Sequence, residues 1–185
     1  MKMFKRFAAA LLVGVMALAM LTACGSDSGL NEQTVEDAML TVYSELFGKE
    51  YTNNATQEAQ AKAFVNETVD DNGALKSGKA TYKIVDQSAG TMLVLSVQDG
   101  KPYGMTAETI KKMEDPAAVK AAAAEMKETL IQTMMDYFRD YYEDRGITPD
   151  EAQLRAYVEA GYDQLSKQVK AVSVGAVKKG NKVYS

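Results

Sequence analysis

The sequence of 185 residues contains no histidine, no tryptophan and a single cysteine. Histidine is the side chain most often used as a general base near neutral pH, the commonest zinc ligand and the base of the Ser/His/Asp triad. Its absence excludes that triad and every histidine-based zinc site. One cysteine also excludes a disulfide within the chain, so the fold must be held by packing. We expect neither a metal nor a cofactor.

What the sequence does contain begins with an N-terminal segment in three parts. Positive charges at Lys2, Lys5 and Arg6 precede an apolar run from residue 7 to 20, which only Gly14 interrupts, and Leu-Thr-Ala-Cys follows at residues 21–24. This order is typical of a secretory signal peptide. The last four residues resemble the lipobox of bacterial lipoproteins, in which the cysteine receives a diacylglyceryl group.

The resemblance implies that residues 1–23 are a cleaved signal peptide and that Cys24 becomes a lipidated N-terminus. The protein would then be held at the cell membrane, on its extracytoplasmic face. The alternative is an uncleaved transmembrane helix, but the uninterrupted apolar run is shorter than the ~20 residues that a span needs. Residues 24–33, which are mostly small or polar, are predicted to form a flexible tether. Residues 34–185 are predicted to form one extracytoplasmic domain.

The charge balance limits the partners of this domain. The chain has 21 basic and 25 acidic residues, and loss of the leader would leave 18 basic residues, for a net charge of −7. Such a charge opposes nonspecific attraction to nucleic acid or to an anionic lipid surface. We expect no nucleic acid partner. Besides the membrane, reached through the lipid at Cys24, a peptide, a glycan or another protein is the expected partner.

Hydrophobic periodicity and capping signals predict about five helices. The first begins at a capping box at Thr34 and ends before Gly48, and the second is capped by Thr56. A short helix starts at Thr106. Asp115 and Pro116 begin a long helix, and the last one is capped by Thr148. The long and last helices should pack antiparallel, with the long helix burying a stripe made of Val119, Ala123, Met126, Leu130, Met134, Tyr137 and Tyr141.

Between and after the helices, two pairs of β-rich runs are joined by glycine-containing turns. Residues 81–85 and 91–97 predict one hairpin, and residues 172–177 and 182–185 predict a second. The predicted fold class is therefore α+β, a helix-dominated single domain in which about five helices pack on a small antiparallel sheet made of two hairpins.

Two motifs point weakly to ligand chemistry. Residues 73–79 match the G-x-x-x-x-G-K part of a phosphate-binding loop, but Ala80 replaces the required hydroxyl residue and a strand, not a helix, is predicted next. Asp70, Asp71 and Asn72 could supply calcium ligands but lack the spacing of a calcium loop. We interpret both segments as ordinary turns.

The most unusual composition is the Met- and aromatic-rich segment 134–142, with further tyrosines on the following helix. Tyrosine has a large apolar face and a hydrogen-bonding tip, which suits it to binding surfaces. One helix cannot bury all of these rings, so two interpretations stay open: the wide face packs inside the domain, or part of it forms a binding surface. The candidate residues for that surface are Tyr137, Phe138, Tyr141, Tyr142, Tyr157 and Tyr162.

These observations favour a non-catalytic, lipid-anchored binding protein of unknown ligand. One alternative is a membrane-tethered accessory chaperone or foldase, which would hold exported unfolded chains on its amphipathic helices. Another is a cell-envelope hydrolase that uses two carboxylates, for which a helical pair such as Asp136 and Asp140 has suitable spacing. The hydrolase would need one carboxyl with a raised pKa in a cleft, whereas the binding protein would need an open aromatic patch.

Overall fold

A computed structural model of the protein describes residues 30–98 and 100–185. The predicted signal peptide, Cys24 and most of the predicted tether lie outside the described residues. The described part contains five helices: α1 (Glu32–Phe47), α2 (Ala55–Thr68), α3 (Ala107–Met113), α4 (Pro116–Glu143) and α5 (Glu151–Gln168). Its strands are β1 (Tyr82–Asp86), β2 (Thr91–Val94), β3 (Val97–Gln98), β4 (Lys101–Pro102), β5 (Val177–Lys179) and β6 (Lys182–Tyr184). The predicted helix-dominated α+β class is confirmed.

The strands are arranged differently from the predicted single sheet. They form three separate antiparallel pairs, β1–β2, β3–β4 and β5–β6. The predicted strand at residues 172–177 is mostly irregular because side chains satisfy its backbone. Asn53 exchanges two hydrogen bonds with the backbone of Val174, and the carboxylate of Glu36 accepts one from the N–H of Ala176. A segment paired in this way needs no partner strand.

The helix starts are set by side chains that accept hydrogen bonds from the first turn. Asp115 and Thr106 are N-caps, as predicted. The other three caps were predicted wrongly: Asn31, Asn54 and Asp150 occupy these positions, and their side-chain oxygens accept from backbone N–H groups two or three residues on. Asparagine and aspartate compete well with a nearby threonine for this role. Helix α1 therefore begins two residues before the predicted domain boundary at residue 34.

The core is divided into three clusters of buried apolar side chains. The largest joins α1, α3 and the first half of α4, around Val35, Val42, Ile110 and Met126. The second lies between α2 and the strands, with Phe64, Val65, Val69, Leu95 and Tyr184. The third joins the second half of α4 to α5, with Ile131, Met134, Met135, Leu154 and Val158. Helix α4 thus contributes to two clusters along its length.

Of the helices in residues 30–98 and 100–185, none is both long enough and apolar enough to cross a lipid bilayer.

Candidate binding surface

The candidate surface is built on the helix pair α4–α5, which two arginines hold together. Arg155 in α5 donates two hydrogen bonds of 2.8 Å to the carboxylate of Glu128 in α4. Nearer the connecting turn, Arg139 in α4 donates bonds of 2.8 and 2.9 Å to Glu151 in α5. Residues early in one helix thus meet residues late in the other, which confirms the predicted antiparallel packing. Bidentate pairs of this kind fix orientation as well as distance.

Above the third cluster, five aromatic side chains cover the outer side of the pair. We call this set, which consists of Tyr137, Phe138, Tyr141, Tyr142 and Tyr157, the aromatic surface. Phe138 and Tyr142 are half-buried and pack against the cluster. The other three are more exposed, with fractional exposures of 40% for Tyr137, 42% for Tyr141 and 58% for Tyr157. The surface therefore has a packed base and an open outer layer.

Ring contacts connect this outer layer to its base. Phe138 lies edge-on to both Tyr137 and Tyr157, with ring centroids 5.4 Å apart in each case, so one aromatic row crosses from α4 to α5. Tyr141 meets Tyr142 at 5.6 Å in the same edge-to-face geometry. These spacings and angles are favourable for aromatic pairs. The exposed rings are thus packed on the aromatic base beneath them.

The predicted buried stripe of α4 was wrong at its C-terminal end. It placed Tyr137 and Tyr141 inside and left Phe138 and Tyr142 beside the stripe, whereas the structure exposes the first two and packs the second two. The physical reason is that α4 changes partners. Its first half packs against α1 and its second half against α5, so the buried face turns around the helix axis.

Tyr162 does not belong to the aromatic surface. It is only 5% exposed, lies in the largest cluster, and its hydroxyl donates a hydrogen bond of 2.6 Å to the carbonyl oxygen of Leu46 in α1. Burial raises the pKa of Tyr162 to about 12. The prediction that Tyr162 contributes to the binding surface is therefore corrected to a role in the core.

Acidic side chains border the aromatic surface. Asp140, Glu143 and Asp144 are exposed at the C-terminal end of α4, next in sequence to Tyr141 and Tyr142. Arg145, next in sequence to Asp144, stacks its guanidinium 3.6 Å from the centre of the Tyr141 ring and donates a hydrogen bond to the carbonyl oxygen of that residue. The ring of Tyr141 thus already accommodates a guanidinium group on its face.

Three carboxylates of the helix pair have pKa values that are lowered by hydrogen bonds from arginine. Hydrogen bonds from Arg139 lower the pKa of Asp136 and of Glu151, and those from Arg155 lower the pKa of Glu128. A carboxyl that acts as a general acid needs the opposite shift. Asp136, named above as a candidate acid/base residue, is held as an anion by Arg139 and Gln132.

The two weak ligand motifs are turns in the structure. One carboxylate oxygen of Asp70 accepts hydrogen bonds from the backbone N–H groups of Asn72 and Ala74 and thereby stabilises the turn. Residues 73–79 lead into a hairpin and not into a helix. Within the described ranges, no group of three or more Cys, Asp or Glu residues is placed to hold a metal ion.

One polar feature was not predicted from the sequence. Glu36 in α1 is 1% exposed, and its carboxylate is 3.0 Å from the ammonium of Lys62 in α2. Lys62 also contacts Glu58, and these partners together raise the pKa of Lys62 to about 12. Helical spacing alone could have suggested the Glu58–Lys62 pair, but the contact between α1 and α2 depends on tertiary packing. We assign the cluster a structural role.

Comparison with known proteins gives no match for this chain among protein-family models, curated proteins or solved structures.

Proposed function

We propose that the protein is a non-catalytic binding protein, anchored by lipid at Cys24 to the extracytoplasmic face of the cell membrane, that recruits a partner through its aromatic surface. The anchor is supported by the three-part leader and its resemblance to a lipobox. The observation that carries the binding role is the row of half-exposed tyrosines across α4 and α5, kept in place by contacts with Phe138 and Tyr142.

The chemistry of this surface favours a basic polypeptide segment as the partner. Tyrosine rings attract ammonium and guanidinium groups through their faces, and aromatic and arginine side chains dominate the energetics of many interfaces. The neighbouring Asp140, Glu143 and Asp144 add negative potential at the edge of the rings. The stacking of Arg145 on Tyr141 is an intramolecular example of the contact that such a partner would make. Of the peptide, glycan and protein partners, a peptide or protein segment rich in Lys and Arg fits best.

Binding can be tested with displayed random peptides selected on the wild-type protein. We expect the selected peptides to be enriched in Lys and Arg and to lose at least about tenfold in affinity for a Tyr141→Ser/Tyr157→Ser double variant. A matched control is Tyr82→Ser, which removes an exposed tyrosine from a different part of the molecule. Equal binding to the wild type and the double variant would refute the role of the aromatic surface.

The anchor needs a separate experiment. Cys24→Ala should leave an unprocessed precursor or move the protein from the membrane fraction to the soluble fraction, because acyl chains provide the attachment. Unchanged fractionation together with unchanged processing would reject lipidation.

A membrane-tethered accessory chaperone or foldase is the second candidate. It is favoured by exposed apolar side chains at two places, the aromatic surface and the β1–β2 hairpin. A chaperone should suppress the aggregation of several unrelated denatured proteins, whereas a binding protein for one basic segment should not. The carboxylate-based hydrolase stays the least favoured alternative, because hydrogen bonds from Arg139 and Gln132 lower the pKa of Asp136, a member of the candidate pair, whereas a general acid needs a raised one.

A further inference from the structure

The β1–β2 hairpin exposes a continuous apolar face. In its register Tyr82 is opposite Val94, and Ile84 is opposite Met92, so these four side chains lie on the same side of the ladder. All four are exposed, and Ile84 reaches 56%. We call this set the hairpin face. Every residue of strand β1 is exposed, which is unusual for a strand rich in β-branched and aromatic residues.

The opposite side of the same ladder is used by the domain. Leu93 packs against the second core cluster, and Lys83, directly opposite it in the ladder, forms an ion pair of 3.9 Å with Glu67 in α2. The hairpin is thus attached to the domain by one side and presents the other to its surroundings. Within the described residues β1 and β2 pair only with each other. A two-stranded ribbon of this length is marginally stable in water without a further contact.

We propose that the hairpin face lies against the lipid bilayer to which the protein is anchored. This inference rests on the proposed lipidation of Cys24. Seven residues separate Cys24 from the first residue of α1, and a chain of that length spans at most about 25 Å. The domain is then confined near the bilayer, where even a small apolar patch meets lipid at a high effective concentration.

The start of α1 is connected to the hairpin through β5 and the second core cluster. The carboxylate of Glu32, the first residue of α1, accepts a hydrogen bond from the backbone N–H of Lys178 in β5. The adjacent Val177 packs against the same cluster as Leu93 of the hairpin. The start of α1, where the tether enters the domain, and the hairpin are thus both linked to elements that border the second core cluster.

The chemistry of the hairpin face suits the boundary between headgroups and acyl chains. Tyr82 can place its ring in the apolar layer and its hydroxyl among the headgroups, while Ile84, Met92 and Val94 offer purely apolar contact. Because the mature chain is acidic, the contact should depend on apolar burial and not on anionic lipid. Contact at the hairpin would also leave the helix pair α4–α5 to other partners.

The absence of tryptophan makes this arrangement directly measurable. Tyr82→Trp places a single tryptophan on the hairpin face, and Tyr157→Trp places one on the aromatic surface as a matched control. The mature, lipid-modified proteins, beginning at Cys24, would be reconstituted into phosphatidylcholine vesicles with and without brominated acyl chains, which quench tryptophan on contact. We expect at least twofold stronger quenching at position 82 than at position 157. Ile84→Trp should be quenched as strongly as Tyr82→Trp. This second variant checks that the quenching is a property of the hairpin face and not of one substitution.

Three outcomes would overturn the inference, and they are distinguishable. If the proteins do not float with the vesicles, the anchor itself fails, and the inference falls with it. If they float but position 82 is quenched no more than position 157, the anchor stands and bilayer contact by the hairpin is refuted. If emission from position 82 is blue-shifted without quenching and varies with protein concentration, the hairpin face is covered by a second copy of the chain.

Discussion

The hydroxyl of Tyr162 in α5 donates a hydrogen bond of 2.6 Å to the carbonyl oxygen of Leu46, which lies in the last turn of α1. Carbonyl groups in the last turn of a helix have no partner within the helix, so this bond supplies one from another element. The bond joins α1 to α5, between residues that are 116 positions apart in the sequence.

Removing this hydroxyl should destabilise the protein. Tyr162→Phe keeps the ring but leaves a buried carbonyl oxygen unsatisfied, at a cost of about 1–3 kcal/mol. Tyr157→Phe is the control, because the hydroxyl of Tyr157 is on an exposed residue, and we expect a change within about 0.5 kcal/mol. Urea unfolding followed by circular dichroism measures both. Equal effects of the two substitutions would contradict a core role for Tyr162.

The same residue predicts a dependence of stability on alkaline pH. Burial raises the pKa of Tyr162 to about 12, above the value near 10 of a tyrosine in the unfolded chain. The folded state therefore holds the proton more tightly, and this contribution is complete below about pH 10 and is lost as the pH rises towards 12. The difference in free energy of unfolding between wild type and Tyr162→Phe should narrow over that interval. If the difference in free energy of unfolding stays constant from pH 9 to 12, the pKa of Tyr162 is not raised.

The ion pair between Glu36 and Lys62 should contribute to stability, because Glu36 is buried. Lys62→Met would leave the carboxylate of Glu36 with the N–H of Ala176 as its remaining hydrogen-bond donor. Breaking a fully buried ion pair in this way costs about 3 kcal/mol or more. Because Lys62 is partly exposed, we expect the free energy of unfolding to fall by less than that. Lys120→Met is the matched control, since it breaks the pair with Glu45, a contact of 3.3 Å between two exposed side chains. That change should cost less than about 1 kcal/mol.

A double variant completes this test. Glu36→Gln combined with Lys62→Met removes the unpaired buried charge, so it should recover part of the stability lost in the single variant. Thermal unfolding at pH 7 gives the comparison. No recovery in the double variant would show that packing of the Lys62 chain, and not charge, is what the single substitution removes.

Replacing glycine by alanine should have opposite effects on stability at Gly175 and Gly161. A Cβ added at Gly175 would lie 2.6 Å from the carbonyl oxygen of Glu58 and 2.7 Å from the backbone nitrogen of Lys62, so the segment could no longer approach α2. Gly175→Ala should cost at least about 2 kcal/mol, as a steric clash with backbone does not relax easily. Gly161 lies within α5, and a Cβ there meets nothing. Gly161→Ala should stabilise by about 0.5–1 kcal/mol.

The elements of the fold that depend on local signals could be predicted from the sequence. Asp115 followed by Pro116 starts a helix because both residues act within one turn, and the antiparallel pair α4–α5 follows from its short connection. The caps were less predictable where two capping residues lie close together. Asn31 and Thr34 both have side chains that can accept from a first turn, and in the structure Asn31 does so.

The candidate site was predictable in place but not in detail. Composition alone indicates an aromatic cluster near residues 134–142. Which ring faces solvent depends on the change of partner along α4 from α1 to α5, and no periodicity within α4 contains that information. Tyr162 shows the same limit, since its hydrogen bond is to a residue far away in sequence. Exposure of the hairpin face also depends on tertiary packing, because alternating patterns do not say which strand faces are covered.

Adjacent tyrosines in α4 provide the sharpest test of the aromatic surface. Tyr142 packs against the third core cluster, so Tyr142→Ala should cost about 2–3 kcal/mol, somewhat less than a fully buried aromatic residue would. Tyr141 is 42% exposed and rests mainly on Tyr142 and Arg145, so Tyr141→Ala should cost less than about 1 kcal/mol. Peptide affinity should follow the reverse order, because Tyr141 is the more exposed of the two rings. If Tyr142→Ala lowers stability no more than Tyr141→Ala, the assignment of base and outer layer is wrong. If only stability changes and peptide affinity does not, the outer layer has no part in binding.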